Sequence, residues 1–535
     1  MIARLLPVSW TWTLLAVLTV ACLLAGPARA SASATPAQAG KPKIAWRPCN
    51  EQFQCATVRV PLDYDRHSSG TISIALARLP ATDPSRRIGS LFLNPGGPGG
   101  SGVDYLLGAG PFLYTDEVRA RFDLVGFDPR GIIRSTPLRC FNSPDEWEPF
   151  FTPFAFPMTR EEERARIAAD RYLLRACDRR GGRIIDHMST ANAARDLDVL
   201  RAAVGDRRLT YAGVSYGSYL GVTYANLFPN RVRALVVDGV LDPIAWSTGR
   251  GGEARRVPFS TRLRSDAGAQ ATLGEFFRLC DAGGDACAFS GHAADRFAAL
   301  AKRVRAEPVV LTFEDGSTAV LDYSNLIGIT LGSMYDSASW SDFALFLADV
   351  ESQAAPVRVG ARLQRLYQRT RPAYAPTRGM RERITTDYEN FLEGFPGVAC
   401  SDSDNPDDYA AWSIAGAKAD AEFGYFGRIW TWASSICAEW RGFDRDRYMG
   451  PFNRVTANPI LVVGNTFDPA TRYEGAQIVH RLMPRSSLLT VHGWGHTSLF
   501  LSQCADAAIA RYLIDEATPP PGATCEQDAV PFAGG

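Results

Sequence analysis

Residues 213–217 read Gly-Val-Ser-Tyr-Gly, between an apolar run at 209–212 and a helical pattern at 219–227. A Gly-x-Ser-x-Gly between strand and helix is a nucleophile elbow. The need for glycine is steric. In so tight a turn, side chains two before and two after the serine would collide. The turn holds Ser215 at a helix start, where the dipole helps bear developing negative charge. Such a serine attacks a carbonyl when a base takes its proton and an acid orients the base.

The chain has 6 histidines: His67, His187, His292, His480, His492 and His496. The elbow is followed in this fold by the acid and then the histidine, which disfavours His67 and His187. His292 falls in a helical insertion, and His480 on a helix face expected to be solvated. His492 ends the apolar run 487–491 and is expected as a packed neighbour. His496 follows Gly493-Trp494-Gly495, which lets it turn back towards the serine, and is the expected base. The run 460–463 leads into Gly464-Asn465-Thr466-Phe467-Asp468-Pro469, and Asp468 is the expected acid. A turn-capping role stays open for Asp468, since Pro469 follows it. Asp238, after the run 234–237, is the alternative acid. An oxyanion hole needs two backbone N–H groups aimed at one point. One is Tyr216; the other belongs to the glycine-rich residues 94–102 that follow the run 90–93. That loop lacks the lysine and glycine spacing of a phosphate-binding loop.

These residues need a scaffold that brings strand ends together. Near-continuous apolar runs at 90–93, 122–127, 209–212 and 234–237 read as strands covered on both faces, with a further strand at 71–77. After 459, strands at 460–463 and 487–491 alternate with helices at 473–482 and 502–514. The alternation predicts an α/β fold, a mostly parallel doubly wound sheet. Between the two regions the pattern is helical, at 271–279, 293–304, 323–335 and 339–348, with strand signal at 309–313 and 319–321. It is expected to form a cap over the sheet edge where open α/β sheets place their sites. The expected organisation is a leader at 1–30, a linker at 31–45, core at 46–243, a mainly helical cap at 244–454, and core again at 455–535.

Composition narrows the class. The 57 basic and 57 acidic residues cancel, so nothing favours nucleic acid or an anionic membrane surface as partner. Arg4, an apolar stretch from about Val8 to Leu24, and Ala28-Arg29-Ala30 form a secretory leader with cleavage after Ala30. The stretch is short for a membrane span; Cys22 is a candidate for lipid attachment. Of the 11 cysteines, the others fall into neighbours along the chain: Cys49 and Cys55, Cys140 and Cys177, Cys280 and Cys287, Cys400 and Cys437, Cys504 and Cys525. Local disulfides fit an oxidising compartment, although spacing alone leaves connectivity open. No spacing suggests zinc or another metal.

Residues 94–102, Gly126-Phe127-Asp128-Pro129-Arg130-Gly131, the Ser215 elbow, residues 464–471 and Gly495-His496-Thr497 together resemble the secreted tripeptidyl aminopeptidases, relatives of proline iminopeptidase. The resemblance spans about residues 45 to 528. It implies an α/β-hydrolase core with a cap, cofactor-free Ser-His-Asp catalysis, and release of short peptides from free N-termini. It assigns Ser215 as nucleophile, Asp468 as acid, His496 as base, and Gly97 and Tyr216 as oxyanion donors. Two departures are visible. Pro95 stands where proline iminopeptidases carry histidine, as in the tripeptidyl branch. Ile133 stands where the family usually has a second glycine. Counting residues from an N-terminus also needs a carboxylate for the substrate ammonium, and Asp402, beside Cys400, is the candidate. The resemblance implies a protein found in the medium or held at the cell wall. An esterase or lipase of the same fold is the alternative, since a triad does not fix its substrate. A catalytically inactive envelope-binding protein is the reading from another class.

Overall fold

The computed structural model describes residues 44–352, 357–360, 364–366 and 390–533. The leader, Cys22 and the linker up to residue 43 lie outside them. The strands before the insertion are β1 (Arg47–Asn50), β2 (Phe53–Pro61), β3 (Thr71–Leu79), β4 (Gly89–Asn94), β5 (Phe122–Phe127), β6 (Leu209–Val214) and β7 (Val232–Asp238). Within it lie β8 (Val309–Phe313), β9 (Thr318–Leu321) and β10 (Val357–Val359); after it come β11 (Ile460–Phe467), β12 (Ser486–Trp494) and β13 (Thr524–Glu526). Among the described residues a 10-stranded sheet runs in the order β1-β2-β3-β5-β4-β6-β7-β11-β12-β13. The pairs up to β3/β5 are antiparallel, and every later pair is parallel.

The sheet is covered on both faces, and its alternating side chains show it. Phe92, Val125, Leu235 and Val462 join one apolar cluster. Their chain neighbours Leu91, Leu93, Leu124, Val236 and Val463 join another. Successive strand residues point to opposite faces, so both clusters require helices. Helices Thr190–Ala203, Tyr216–Leu227 and Tyr473–Leu482 cover the first face through Leu197, Leu220 and Val479. Helices Gly102–Ala109, Asp116–Arg121 and Gln503–Asp515 cover the second through Leu106, Val118 and Ile509.

Between β7 and β11, helices Ser265–Gly283, Ala293–Ala306, Tyr323–Met334 and Trp340–Ser352 enclose a third cluster built on Phe276, Phe297, Ile327, Trp340 and Phe343. The small sheet β10-β8-β9 lies in the same segment. Helix Phe391–Asp402 and helix Ala410–Phe423 pack instead on the first core cluster, through Val398, Ala399 and Trp412. Five disulfides join the neighbouring cysteines in the pairs named above.

The Gly-Phe-Asp-Pro-Arg-Gly motif leads into a buried ion pair. Arg130 Nε and Nη2 donate to Asp196 at 2.7 and 2.6 Å. Its remaining donors reach the carbonyl oxygens of Leu62 (2.9 Å), His187 and Pro61 (both 3.1 Å). Tyr64 Oη donates to Asp196 Oδ1 at 2.8 Å. The pair ties the end of β2, the loop after β5 and helix Thr190–Ala203 together. The same loop explains the departure at Ile133. Its φ is 36°, a left-handed conformation costly for a β-branched residue. Asn390 holds it there: Oδ1 accepts Ile133 N–H at 2.9 Å, and Nδ2 donates to the carbonyls of Gly131 and Leu138. Breaking a buried charge pair leaves an uncompensated ion. Asp196→Ala is therefore expected to lower unfolding free energy by about 3–5 kcal/mol in a denaturant titration.

Candidate active site

β6 ends at Val214, and helix Tyr216–Leu227 starts two residues on. Ser215 between them has φ 57° and ψ −127°, a strained conformation that its surroundings must impose. Ser215 N–H donates to the Asp238 carbonyl at 2.9 Å. Its own carbonyl accepts Ser218 N–H (2.8 Å) and Ser218 Oγ–H (2.5 Å). A Cβ at Gly213 would lie 2.4 Å from the Gly217 carbonyl oxygen, and one at Gly217 would lie 2.7 Å from that of Asn94. The elbow therefore needs both glycines, as the sequence predicts. The loop after β4 comes equally close: a Cβ at Gly96 would fall 2.8 Å from Ser215 Cβ and 2.9 Å from Tyr216 N. Asn94 Oδ1 accepts Gly96 N–H at 3.0 Å and steers this approach. Tyr216 N–H, in the first helical turn, has no intrahelical acceptor.

Asp468 follows β11 and is 1% exposed. Its Oδ1 accepts the amides of Ala470 (2.8 Å) and Thr471 (2.7 Å); its Oδ2 accepts Thr471 Oγ–H (2.8 Å) and Thr497 N–H (3.1 Å). Both oxygens stand 3.0 Å from His496 Nδ1. The turn-capping and base-orienting roles left open by the sequence thus coexist in one carboxylate. A proton on Nδ1 leaves Nε2 as the acceptor. Burial alone would raise the Asp468 pKa, but the adjacent His496 and the converging donors hold it below the ordinary carboxylate value. Burial alone would lower that of His496, and the Asp468 charge and hydrogen bond raise it above the ordinary 6.5.

His496 is anchored from the insertion as well. His496 N–H donates to the Tyr335 carbonyl at 2.9 Å, and the Tyr335 ring meets the imidazole edge-on with centroids 5.1 Å apart. A Cβ at Gly239, the residue after Asp238, would sit 3.5 Å from His496 Cε1. Since Asp238 receives the Ser215 amide, Ser215 and His496 meet at the same corner of the sheet. Among the described residues no hydrogen bond joins Ser215 Oγ to His496; such bonds are often long before substrate arrives. A cavity of about 650 Å³ opens beside His496, lined by Pro95, Tyr105, Val214, Tyr335, Thr497 and Phe500 among others.

Asp238 does not contact the imidazole by hydrogen bond; its Oδ2 accepts the N–H and Oγ–H of Ser498, both at 2.8 Å. Asp402 is 2% exposed and does not line the cavity beside His496. It accepts Thr190 N–H (2.7 Å), Thr190 Oγ–H (2.6 Å) and Trp246 Nε1–H (3.4 Å), and Thr190 Oγ is hydrogen-bonded to Tyr216 Oη. Burial pushes its pKa up to about 7. The geometry therefore links Asp402 to the residue after the nucleophile rather than to the cavity. His480 is exposed as expected, and His492 is exposed rather than packed. Thr471, Tyr335 and Ser498 escaped the sequence reading of the site. Thr471 lay inside a quoted motif, whereas nothing local marks the other two. A base with a raised pKa must lose its proton before it acts, so activity falls as pH drops through that value. The acid midpoint of kcat/KM is expected above 6.5. Asp468→Asn should cut kcat by about ten-thousandfold, the cost of presenting the wrong tautomer in an analogous triad.

The description "alpha/beta hydrolase fold" matches residues 89–277, and "TAP-like protein" matches residues 421–525. The chain is 31% identical to the serine protease Hip1 of Mycobacterium tuberculosis, with 98% of each chain covered. It is 28% identical to a tripeptidyl aminopeptidase of Streptomyces coelicolor, covering 92% of this chain and 88% of that protein. It is 30% identical to a carboxylesterase B of Mycobacterium tuberculosis, with 90% of each covered.

Proposed function

Because the chain belongs to the tripeptidyl-aminopeptidase-like family of α/β-hydrolase-fold serine hydrolases, we propose that it is an exported exopeptidase that releases short peptides, tripeptides foremost, from free N-termini. The observation that carries the reading is the buried Asp468 carboxylate, 3.0 Å from His496 Nδ1 through both oxygens, at the same strand ends as the strained Ser215. Ser215 Oγ attacks the peptide carbonyl carbon while His496 Nε2 takes its proton. Negative charge gathers on the carbonyl oxygen, where the N–H groups of Gly97 and Tyr216 receive it. His496 returns the proton to the leaving amine as the C–N bond breaks, leaving an ester on Ser215. Water, deprotonated by His496, attacks the ester and frees the N-terminal peptide. Five disulfides support export.

A second reading, a carboxylesterase, is favoured by the relative of that name. Arylamides of one to four residues, with free and acetylated N-termini, separate the two. Free tripeptides are expected to be cleaved fastest. Acetylation should cost about 10- to 150-fold in kcat/KM, the equivalent of one hydrogen bond to a charged group. Indifference to acetylation, with faster turnover of simple esters, would establish the esterase instead.

A further inference from the structure

The loop that carries the base is held by two carboxylates. The amides after His496 are taken in turn: Thr497 N–H by Asp468 Oδ2 at 3.1 Å, and Ser498 N–H by Asp238 Oδ2 at 2.8 Å. Thr497 has φ 72°, a left-handed conformation that a β-branched residue keeps only when its neighbours impose it. Asp238 also reaches the nucleophile, since its main-chain carbonyl accepts Ser215 N–H at 2.9 Å. One residue therefore joins the strained elbow to the base loop, through its backbone on one side and its carboxylate on the other. Asp238 is 2% exposed, and among the described residues its Oδ1 has no hydrogen-bond partner. The titratable groups that face it are Asp468 and His496, from the loops after β11 and β12. Tyr105, from helix Gly102–Ala109, and Tyr114 beyond it also feel its charge.

We propose that Asp238 is a positioning residue for the reaction above, a second buried carboxylate that locks the His496 loop to the Ser215 elbow and adds negative potential at the imidazole. The inference rests on the Ser215-His496-Asp468 reading. Asp468 already forms the direct bond to Nδ1, so Asp238 acts through Ser498 and through space. Burial, reinforced by the Asp468 charge, lifts the Asp238 carboxyl to about 6, while His496 is held above its ordinary 6.5. The sign is fixed: an ionised Asp238 favours the imidazolium, both in the resting enzyme and in the transition state. Neutralising it should move His496 titration to lower pH and weaken stabilisation of the imidazolium formed during attack.

The test uses the full mature chain and its best arylamide, with kcat and KM measured across pH for Asp238→Asn, Asp238→Glu, Ser498→Ala and Asp468→Asn. Asp238→Asn is expected to lower kcat about tenfold, to change KM little, and to shift the acid midpoint of kcat/KM down by about one unit. Asp238→Glu and Ser498→Ala keep a charge there but disturb the tie, and should lower kcat without lowering the midpoint. An unmoved midpoint in folded Asp238→Asn overturns the electrostatic role. If that variant does not fold, full kcat in both Asp238→Glu and Ser498→Ala overturns the positioning role. Full activity in Asp468→Asn would instead refute the triad on which the proposal stands, so the two failures are told apart.

Discussion

At Ser215 the backbone holds φ 57° and ψ −127°, and the site is arranged around keeping it there. A serine in this region relaxes unless every neighbouring group has been fitted to it. Three glycines supply the room. Gly213 lets the two arms of the turn pass each other, Gly217 lets the helix start close on Asn94 at the end of β4, and Gly96 lets the glycine-rich loop lie against the serine. Three hydrogen bonds supply the hold, one from the Ser215 amide to the Asp238 carbonyl and two from Ser218, through its N–H and Oγ–H, to the Ser215 carbonyl. These restraints belong to β4, β6 and β7, neighbours in the central sheet, so the buried faces of that sheet keep Ser215 strained.

Charge is managed by the same scaffold. The site buries two carboxylates close together and gives them different surroundings. Asp468 collects backbone and hydroxyl donors and an imidazole, and stays ionised; Asp238 has only Ser498 at one oxygen, and burial raises it. Pairs of titratable groups pushed apart in this way recur at catalytic sites. Farther off, Arg130 and Asp196 show the structural use of the same physics, a buried pair in which carbonyl oxygens satisfy the remaining guanidinium donors.

Much of this was legible in the residues. The run 122–127 appears as β5 with the same bounds, because a strand covered on both faces is apolar at nearly every position. Helix Tyr473–Leu482 also has the expected bounds, since its single apolar stripe is unambiguous. The pairing of Asp468 with His496 could be expected from chain order and the loops around them. The edge strands β1 and β13, and β2 beside β1, were not legible: short or half-exposed strands carry weak periodicity. The burial of Asp402 was not legible, because it depends on residues far away in sequence, here Thr190 and Trp246. Tyr335 offers its carbonyl to His496, and no side-chain pattern announces a backbone acceptor. Ile133 could be seen to depart from the family, but its left-handed backbone and the Asn390 clamp that sustains it are tertiary facts.

The proposed chemistry turns on Ser215 being the nucleophile and His496 the group that activates it. The most direct measurement is labelling with a fluorophosphonate, followed by peptide mapping of the modified residue, in the native chain and in His496→Ala. A single adduct on Ser215 is expected, formed rapidly in the native chain and slowed by orders of magnitude in the folded variant. An adduct on another serine, or labelling of Ser215 at equal rates in both proteins, would contradict it.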